Sequence, residues 1–163
     1  MKNKLNKDLK VLFIDFDGVL TNNKVIVDEQ GIESVVCNRA DSLYADLLKK
    51  NFFIEIIVIS SEKNKVVKTR SEKMNLYCVQ GIASKFDYIN QYILDTKLDF
   101  KNLIYIGNDL NDFDAMKKCF LKICPSDSAA EIIEISDIVL QTKGGDGILR
   151  EVYEIFRKKY EKS

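Results

Sequence analysis

Asp15 and Asp17 stand two positions apart at the end of the apolar run Val11-Leu12-Phe13-Ile14. Aspartate is a poor strand former and is costly to bury without a partner. Two of them where a buried strand stops therefore call for a cation, a reaction or both. A carboxylate in that place can attack phosphorus and form an aspartyl phosphate. A second carboxylate beside it can protonate the leaving alcohol and then activate water. Ser60, followed by Ser61, ends another apolar run that starts at Phe53, and the segment Gly107-Asn108-Asp109-Leu110-Asn111-Asp112 follows a third, Leu103 to Ile106. The Ser60 hydroxyl and the Lys85 ammonium suit phosphoryl oxygens, because phosphoryl transfer depends mainly on positioning and charge neutralisation. Clustered carboxylates repel one another unless a cation holds them. Hard oxygen ligands suit Mg²⁺, which commonly sits beside substrate phosphates.

Other chemistries are excluded by what the chain lacks. It has no histidine, which removes Ser-His, Cys-His and histidine-base mechanisms together. Cys37, Cys78, Cys119 and Cys124 are scattered without a C-x-x-C pair, so they read as reduced packing thiols rather than zinc ligands. The D-x-D-G at Asp15 to Gly18 resembles the middle of a calcium loop. Counted from Asp15, however, the twelfth position is Ile26, where a bidentate glutamate is required. As caps and turn residues any one of these acids is unremarkable, but that reading does not explain D-x-D in an apolar run.

The elements that must position these groups alternate along the chain. Strands are expected at Val11 to Phe16, Phe53 to Ser60, Tyr77 to Val79, Leu103 to Ile106, Phe120 to Ile123 and Ile138 to Leu140. Helices are expected between them, at Asp41 to Lys50, Lys63 to Met74, Lys85 to Leu94, Ala115 to Lys118 and Ala129 to Ile135, and over the tail from Gly147 to Lys159. That alternation predicts an α/β fold, a Rossmann-like three-layer sandwich with a central parallel sheet. Lys24 to Val27 and Ile32 to Val36, around Asp28-Glu29-Gln30-Gly31, add a small β-hairpin flap. In a parallel sheet all strand ends lie on one edge, so Asp15, Asp17, Ser60 and the Asp109 to Asp112 loop converge.

The 163 residues suit one domain spanning 1–163, with the flap at about 24–36 and a C-terminal tail at about 144–163. Charged residues make up 31% and cancel to no net charge, which gives no electrostatic case for nucleic acid. No apolar run approaches the roughly 20 residues of a membrane span, and the basic opening MKNKLNKDLK has no apolar core of a leader. A cytoplasmic protein without a membrane or nucleic-acid partner is expected.

The motifs D-F-D-G-V-L-T, a serine after the second long strand, an isolated lysine before a helix and G-N-D-L-N-D after a later strand resemble the four motifs of the haloacid dehalogenase superfamily of phosphatases. With G-G-D-G-I-L-R-E near the end, the chain is similar to the capless subclass. That subclass holds 3-deoxy-manno-octulosonate 8-phosphate phosphatase and N-acylneuraminate 9-phosphate phosphatase, and a similar module ends some acylneuraminate cytidylyltransferases. The resemblance implies Asp15 as nucleophile, Asp17 as acid and base, and Ser60 and Lys85 as phosphate binders. It implies Asp15, Asp17, Asn108, Asp109 and Asp112 around Mg²⁺, and Glu62, Arg70 and Lys73 against a phosphorylated sugar acid. It also implies a homotetramer in which the hairpin and tail of one subunit close a neighbour's site. Asn108 and Asn22 stand where many relatives carry aspartate, so weaker metal binding is expected. Two other readings are a non-catalytic assembly module and a phosphoacceptor receiver domain, though receivers place the acceptor after the third strand.

Overall fold

The computed structural model describes residues 4–161; Met1, Lys2 and Asn3 of the basic opening and Lys162 and Ser163 of the tail lie outside the described residues. Six strands form one parallel sheet, in the spatial order Tyr77–Gln80 (β5), Glu55–Ser60 (β4), Val11–Ile14 (β1), Leu103–Ile106 (β6), Leu121–Cys124 (β7) and Ile138–Val139 (β8). β1 and β6 are buried along their whole length, which explains why they read as unbroken apolar runs. Alternate residues pack into different layers. Leu12, Ile14, Ile56, Val58, Ile104 and Ile106 meet one set of helices, and Phe13, Ile57, Ile59, Leu103 and Tyr105 meet another. The first set is Ala40–Phe52 (α1), Lys65–Lys73 (α2) and Ile148–Tyr160 (α6), through Leu48, Val67 and Phe156. The second is Lys85–Thr96 (α3), Phe113–Lys118 (α4) and Ala130–Ile135 (α5), through Ile89, Met116 and Ile132.

From β1 the chain moves outward to β4 and β5, then returns to the other side of β1 with β6. The connections therefore diverge at the carboxyl end of β1, the place where open α/β sheets leave a crevice. Ile14 lies level with Val58 and with Ile106. Two residues further along each strand, the same register puts Phe16, Ser60 and Asn108 level, so the polar groups at the three strand ends share one edge of the sheet.

The expected hairpin is present but shorter. Ile26–Val27 (β2) pairs antiparallel with Glu33–Ser34 (β3), and a single bridge between Thr21 and Cys37 ties its base to the body. Val25, Ile26, Val27 and Ile32 are each more than half exposed. Without a core on either face, the β-prone residues have little packing to extend the ladder.

Two glycine contacts shape the loop after β1. Gly18 has φ of +78°, and a Cβ there would overlap the Asn108 side chain. On the other side of the same loop, a Cβ on Gly144 would collide with the Gly18 carbonyl oxygen, while Gly145 donates its N–H to the Val19 carbonyl at 3.0 Å. The segment before α6 is thus packed backbone to backbone against the loop that carries Asp17.

Candidate active site

A cleft of about 490 Å³ opens at the carboxyl ends of β1, β4 and β6. Asp15, Asp17, Ser60, Glu62, Asn108 and Asp109 line it, with Glu33, Val25 and Val35 from the hairpin and Asn64 from the start of α2. Among the described residues that line it there is no lysine or arginine. Asn64 both caps α2, accepting the Val66 N–H at 3.0 Å, and donates to Glu33 at 2.6 Å, so it fastens the hairpin across the mouth.

Lys85 lies under the floor. It is the first residue of α3, capped by Ser84, a position where a cation opposes the helix dipole. It is compensated by two carboxylates: its Nζ is 2.6 Å from Asp15 Oδ1 and 2.6 Å from Asp112 Oδ1. All three side chains are at most 5% exposed. Burial works against the ammonium, yet the charges of Asp15 and Asp112 hold its pKa above the ordinary lysine value. Asp15 is pushed up to about 7, first by burial and then by the nearby Asp112 charge, with Lys85 resisting. One ammonium cannot fully compensate two buried carboxylates, and a further positive charge at Asp15 would complete the balance. Asp17 is also raised, by burial and by the Glu62 charge.

The site has a place for that charge. One terminal atom of the Asn108 amide lies 3.3 Å from Asp15 Oδ2 and 2.8 Å from the Asp17 carbonyl oxygen. With its nitrogen turned inward, Asn108 donates to both. With its oxygen inward, three oxygens converge, a hard-donor set that fits a divalent cation. Among the described residues no three acidic or thiol side chains gather in such a group, so an amide and a main-chain carbonyl complete the set.

Asp112, expected beside the metal, has both oxygens engaged by protein donors. Its Oδ1 accepts from Lys85 and from the Tyr105 hydroxyl at 2.7 Å, and its Oδ2 accepts the N–H groups of Asn108 at 2.9 Å and Asp109 at 3.4 Å. A carboxylate offers about four lone-pair directions, and all are occupied. Asp112 braces the loop. Asp109 caps the short 3-10 turn Leu110–Asp112 through its own carboxylate and borders the cleft from an exposed position.

Ser60 is buried at the end of β4, and its Oγ accepts the Glu62 N–H at 3.1 Å, which bends the chain so that Glu62 meets the cleft. Arg70 and Lys73, expected against the substrate, are not brought to the cleft of their own chain. Arg70 donates to the Asn38 carbonyl at 2.8 Å and to Ser42 at 3.2 Å, and Lys73 is exposed at the end of α2. Helical spacing beyond the first turn carries both away from the strand ends. Sequence reasoning missed Asn64, Glu33 and Tyr105. The first two read as ordinary polar surface residues, and Tyr105 reads as core, since only its hydroxyl is polar.

A doubly wound sheet with D-x-D at the end of its central strand, and a lysine and an Asn-Asp loop converging on it, defines a phosphoryl-transfer class rather than a nucleotide-binding one. Residues 40–152 match the family of haloacid dehalogenase-like hydrolases, and the chain belongs to that family. Within it, the chain is similar to the 3-deoxy-D-manno-octulosonate 8-phosphate phosphatase of Escherichia coli strain K12, with 27% identity over 91% of this chain and 79% of the relative. The enzyme of the same name from Salmonella typhimurium matches over the same shares at the same identity. The fold is shared with the Moraxella catarrhalis octulosonate phosphatase, solved with magnesium, phosphate and KDO, at TM-score 0.89 and 24% identity over 97% of this chain and 90% of that one. It is shared equally with the cobalt-bound Haemophilus influenzae enzyme, at TM-score 0.87 and 23% identity over 96% and 91%.

Proposed function

We propose that the protein is a Mg²⁺-dependent phosphatase that releases phosphate from a phosphorylated sugar acid, an octulosonate 8-phosphate or a nonulosonate 9-phosphate. The observation that carries this reading is Asp15 at the cleft floor, hydrogen-bonded to Lys85 on one oxygen, with its other oxygen and the Asp17 carbonyl both meeting the Asn108 amide. The similarity to octulosonate phosphatases over 91% of the chain supports the substrate class.

Asp15 attacks phosphorus, the ester P–O bond breaks and an aspartyl phosphate forms. Asp17 gives its proton to the departing alcohol oxygen, then takes one from the water that attacks the aspartyl phosphate, restoring Asp15 and releasing inorganic phosphate. Ser60 and the unshared N–H of Lys85 hold phosphoryl oxygens. A divalent cation held by Asp15, the Asp17 carbonyl and Asn108, with Asp109 bordering it, would supply charge neutralisation for the phosphoryl group. Glu62 stands where it can accept a sugar hydroxyl.

The rest of the reading concerns assembly. The cleft is lined by acids yet receives an anionic substrate, and the hairpin beside it presents apolar side chains. A homotetramer fits both features: neighbouring subunits would cover the hairpin and bring Arg70, Lys73 or tail cations toward the substrate carboxylate. The protein works as one domain, with the 24–36 hairpin and the 144–163 tail as its closing segments. We place it in the cytoplasm, in keeping with four unpaired cysteines; no helix among the described residues is long and apolar enough to cross a membrane.

The test is phosphate release from octulosonate and nonulosonate phosphates, with Mg²⁺ and with a chelator. Turnover on one of them that disappears with the chelator is expected. No turnover on any of them, with metal present and the fold intact, overturns the reading.

A further inference from the structure

We propose that Tyr105 is a positioning residue for this reaction, on whose assignment the inference rests: its hydroxyl, acting through Asp112, fixes where the Lys85 ammonium stands beside Asp15. Tyr105 is the third residue of β6 and has no exposed surface. The other three residues of that strand, Leu103, Ile104 and Ile106, are aliphatic. A hydroxyl in such a layer is costly unless it is hydrogen-bonded. This one donates to Asp112 Oδ1 at 2.7 Å, the same oxygen that accepts Lys85 Nζ at 2.6 Å.

The lone-pair directions of Asp112 restrict where Lys85 can stand. Asp112 Oδ2 is occupied by the main-chain N–H groups of Asn108 and Asp109. Oδ1 has two lone-pair directions, and Tyr105 fills one of them. Lys85 is confined to the other, which leaves its ammonium in contact with Asp15 Oδ1 at 2.6 Å. Three N–H bonds radiate from that ammonium. Two are spent on the carboxylates, and under the proposed function the third is the one that would reach a phosphoryl oxygen. Without the hydroxyl, the vacated direction on Asp112 is open to Lys85, and nothing then fixes its ammonium against Asp15. Both the nucleophile and the phosphoryl contact would then lose alignment, which affects the transition state more than ground-state binding.

Tyr105→Phe keeps the ring in the core and removes only the hydroxyl. Assayed with Mg²⁺ on 3-deoxy-manno-octulosonate 8-phosphate, well below its unfolding temperature, it is expected to lower kcat about ten-fold and to leave KM within about two-fold. In an Asp112→Asn background the same change is expected to add less than about two-fold, because the carboxylate it acts through is gone. A crystal structure of Tyr105→Phe is expected to show Lys85 Nζ out of hydrogen-bond reach of Asp15. A kcat within about two-fold of wild type, an equal loss in both backgrounds, or a Lys85–Asp15 contact unchanged in the crystal would each overturn the proposal. A lowered melting temperature with unchanged kcat marks a packing role only and also overturns it. Should the wild type release no phosphate from any sugar-acid phosphate, the functional reading fails first, while the crystal comparison still decides whether Tyr105 sets the place of Lys85.

Discussion

Asp15 is surrounded by groups that hold both of its oxygens, so changing its chemistry without its shape isolates its part in the reaction. Asp15→Asn retains the size of the side chain and removes the nucleophilic charge. It is expected to abolish phosphate release while the far-ultraviolet spectrum stays that of wild type; activity within a few-fold of wild type takes Asp15 out of the nucleophile role. Asn108→Asp adds a carboxylate beside Asp15 and the Asp17 carbonyl. The Mg²⁺ concentration that gives half-maximal activity is expected to fall roughly ten-fold, as a charged oxygen ligand replaces a neutral one. Half-saturation of the wild type at low micromolar Mg²⁺ would contradict the weak binding on which that expectation stands. Asp41, away from the cleft, offers a different measurement. It is 1% exposed, accepts the Leu149 N–H at 3.0 Å at the start of α6, and leaves Oδ2 without a partner. Burial pushes its carboxyl up to about 6, against the Leu149 hydrogen bond and the Arg70 charge. The folded state therefore binds this proton more tightly than the unfolded chain. The resulting stability is fully present below pH ~4 and is lost as pH rises through about 6, by up to about 3 kcal/mol. Asp41→Asn keeps the acceptor and removes the titration. In urea unfolding, its stability relative to wild type is expected to be greater at pH 8 than at pH 4.5, and equal differences at both would refute this.

Among the elements, the segment between β8 and α6 shows how a loop is held. Gly144 admits no side chain because the Gly18 carbonyl occupies that space. Gly144→Ala is expected to destabilise the fold by about 1–3 kcal/mol through overpacking, and to lower kcat, since the loop it displaces carries Asp17. Urea unfolding with activity measured on the folded protein separates the two losses. The strands and helices themselves were legible in the sequence. The run Leu103 to Ile106 matches β6 residue for residue, and β4, β5, β7 and β8 fall within a residue or two of expectation, because short apolar runs set between polar segments mark a strand both in the buried β4 and β7 and at the edges in β5 and β8. The convergence of Asp15, Asp17, Ser60 and the loop that begins at Asp109 was legible too, since it follows from the sheet edge; Asn108 entered only through the family resemblance. The parts that depend on how many donors reach one atom were not. That Asp112 is fully occupied, that Lys85 is shared and that Tyr105 has a polar duty are facts of three-dimensional counting. No spacing along the chain encodes them. The hairpin was placed correctly and its length overstated, because β-propensity cannot register the absence of a packing surface.

For the molecule as a whole, the unpartnered face of β2 and β3 is the feature a single chain leaves unexplained. If subunits cover it, light scattering should give the mass of four chains. Ile26→Lys together with Val27→Lys should then yield smaller species with lower activity, since a charge buried at an interface is costly. A monomer with full activity would rule out the tetramer. Neutral net charge and the absence of a cation among the described residues lining the cleft are compatible with the same assembly, in which the counter-charge for an anionic substrate comes from a metal and a neighbour.

The backing of the Asp17 loop by Gly144 and Gly145 also has a temporal meaning. Ribosomal synthesis delivers β1 well before this glycine pair, which follows β8. A nascent chain can thus carry both aspartates, and even pair β1 with β4 and β6, while the loop between them and the cleft still lacks its rear support. The Asp17 loop gains that support only once Gly144 and Gly145 have been made. During refolding, phosphate release is therefore expected to return later than the far-ultraviolet signal of the sheet, and simultaneous recovery would count against a role for this contact.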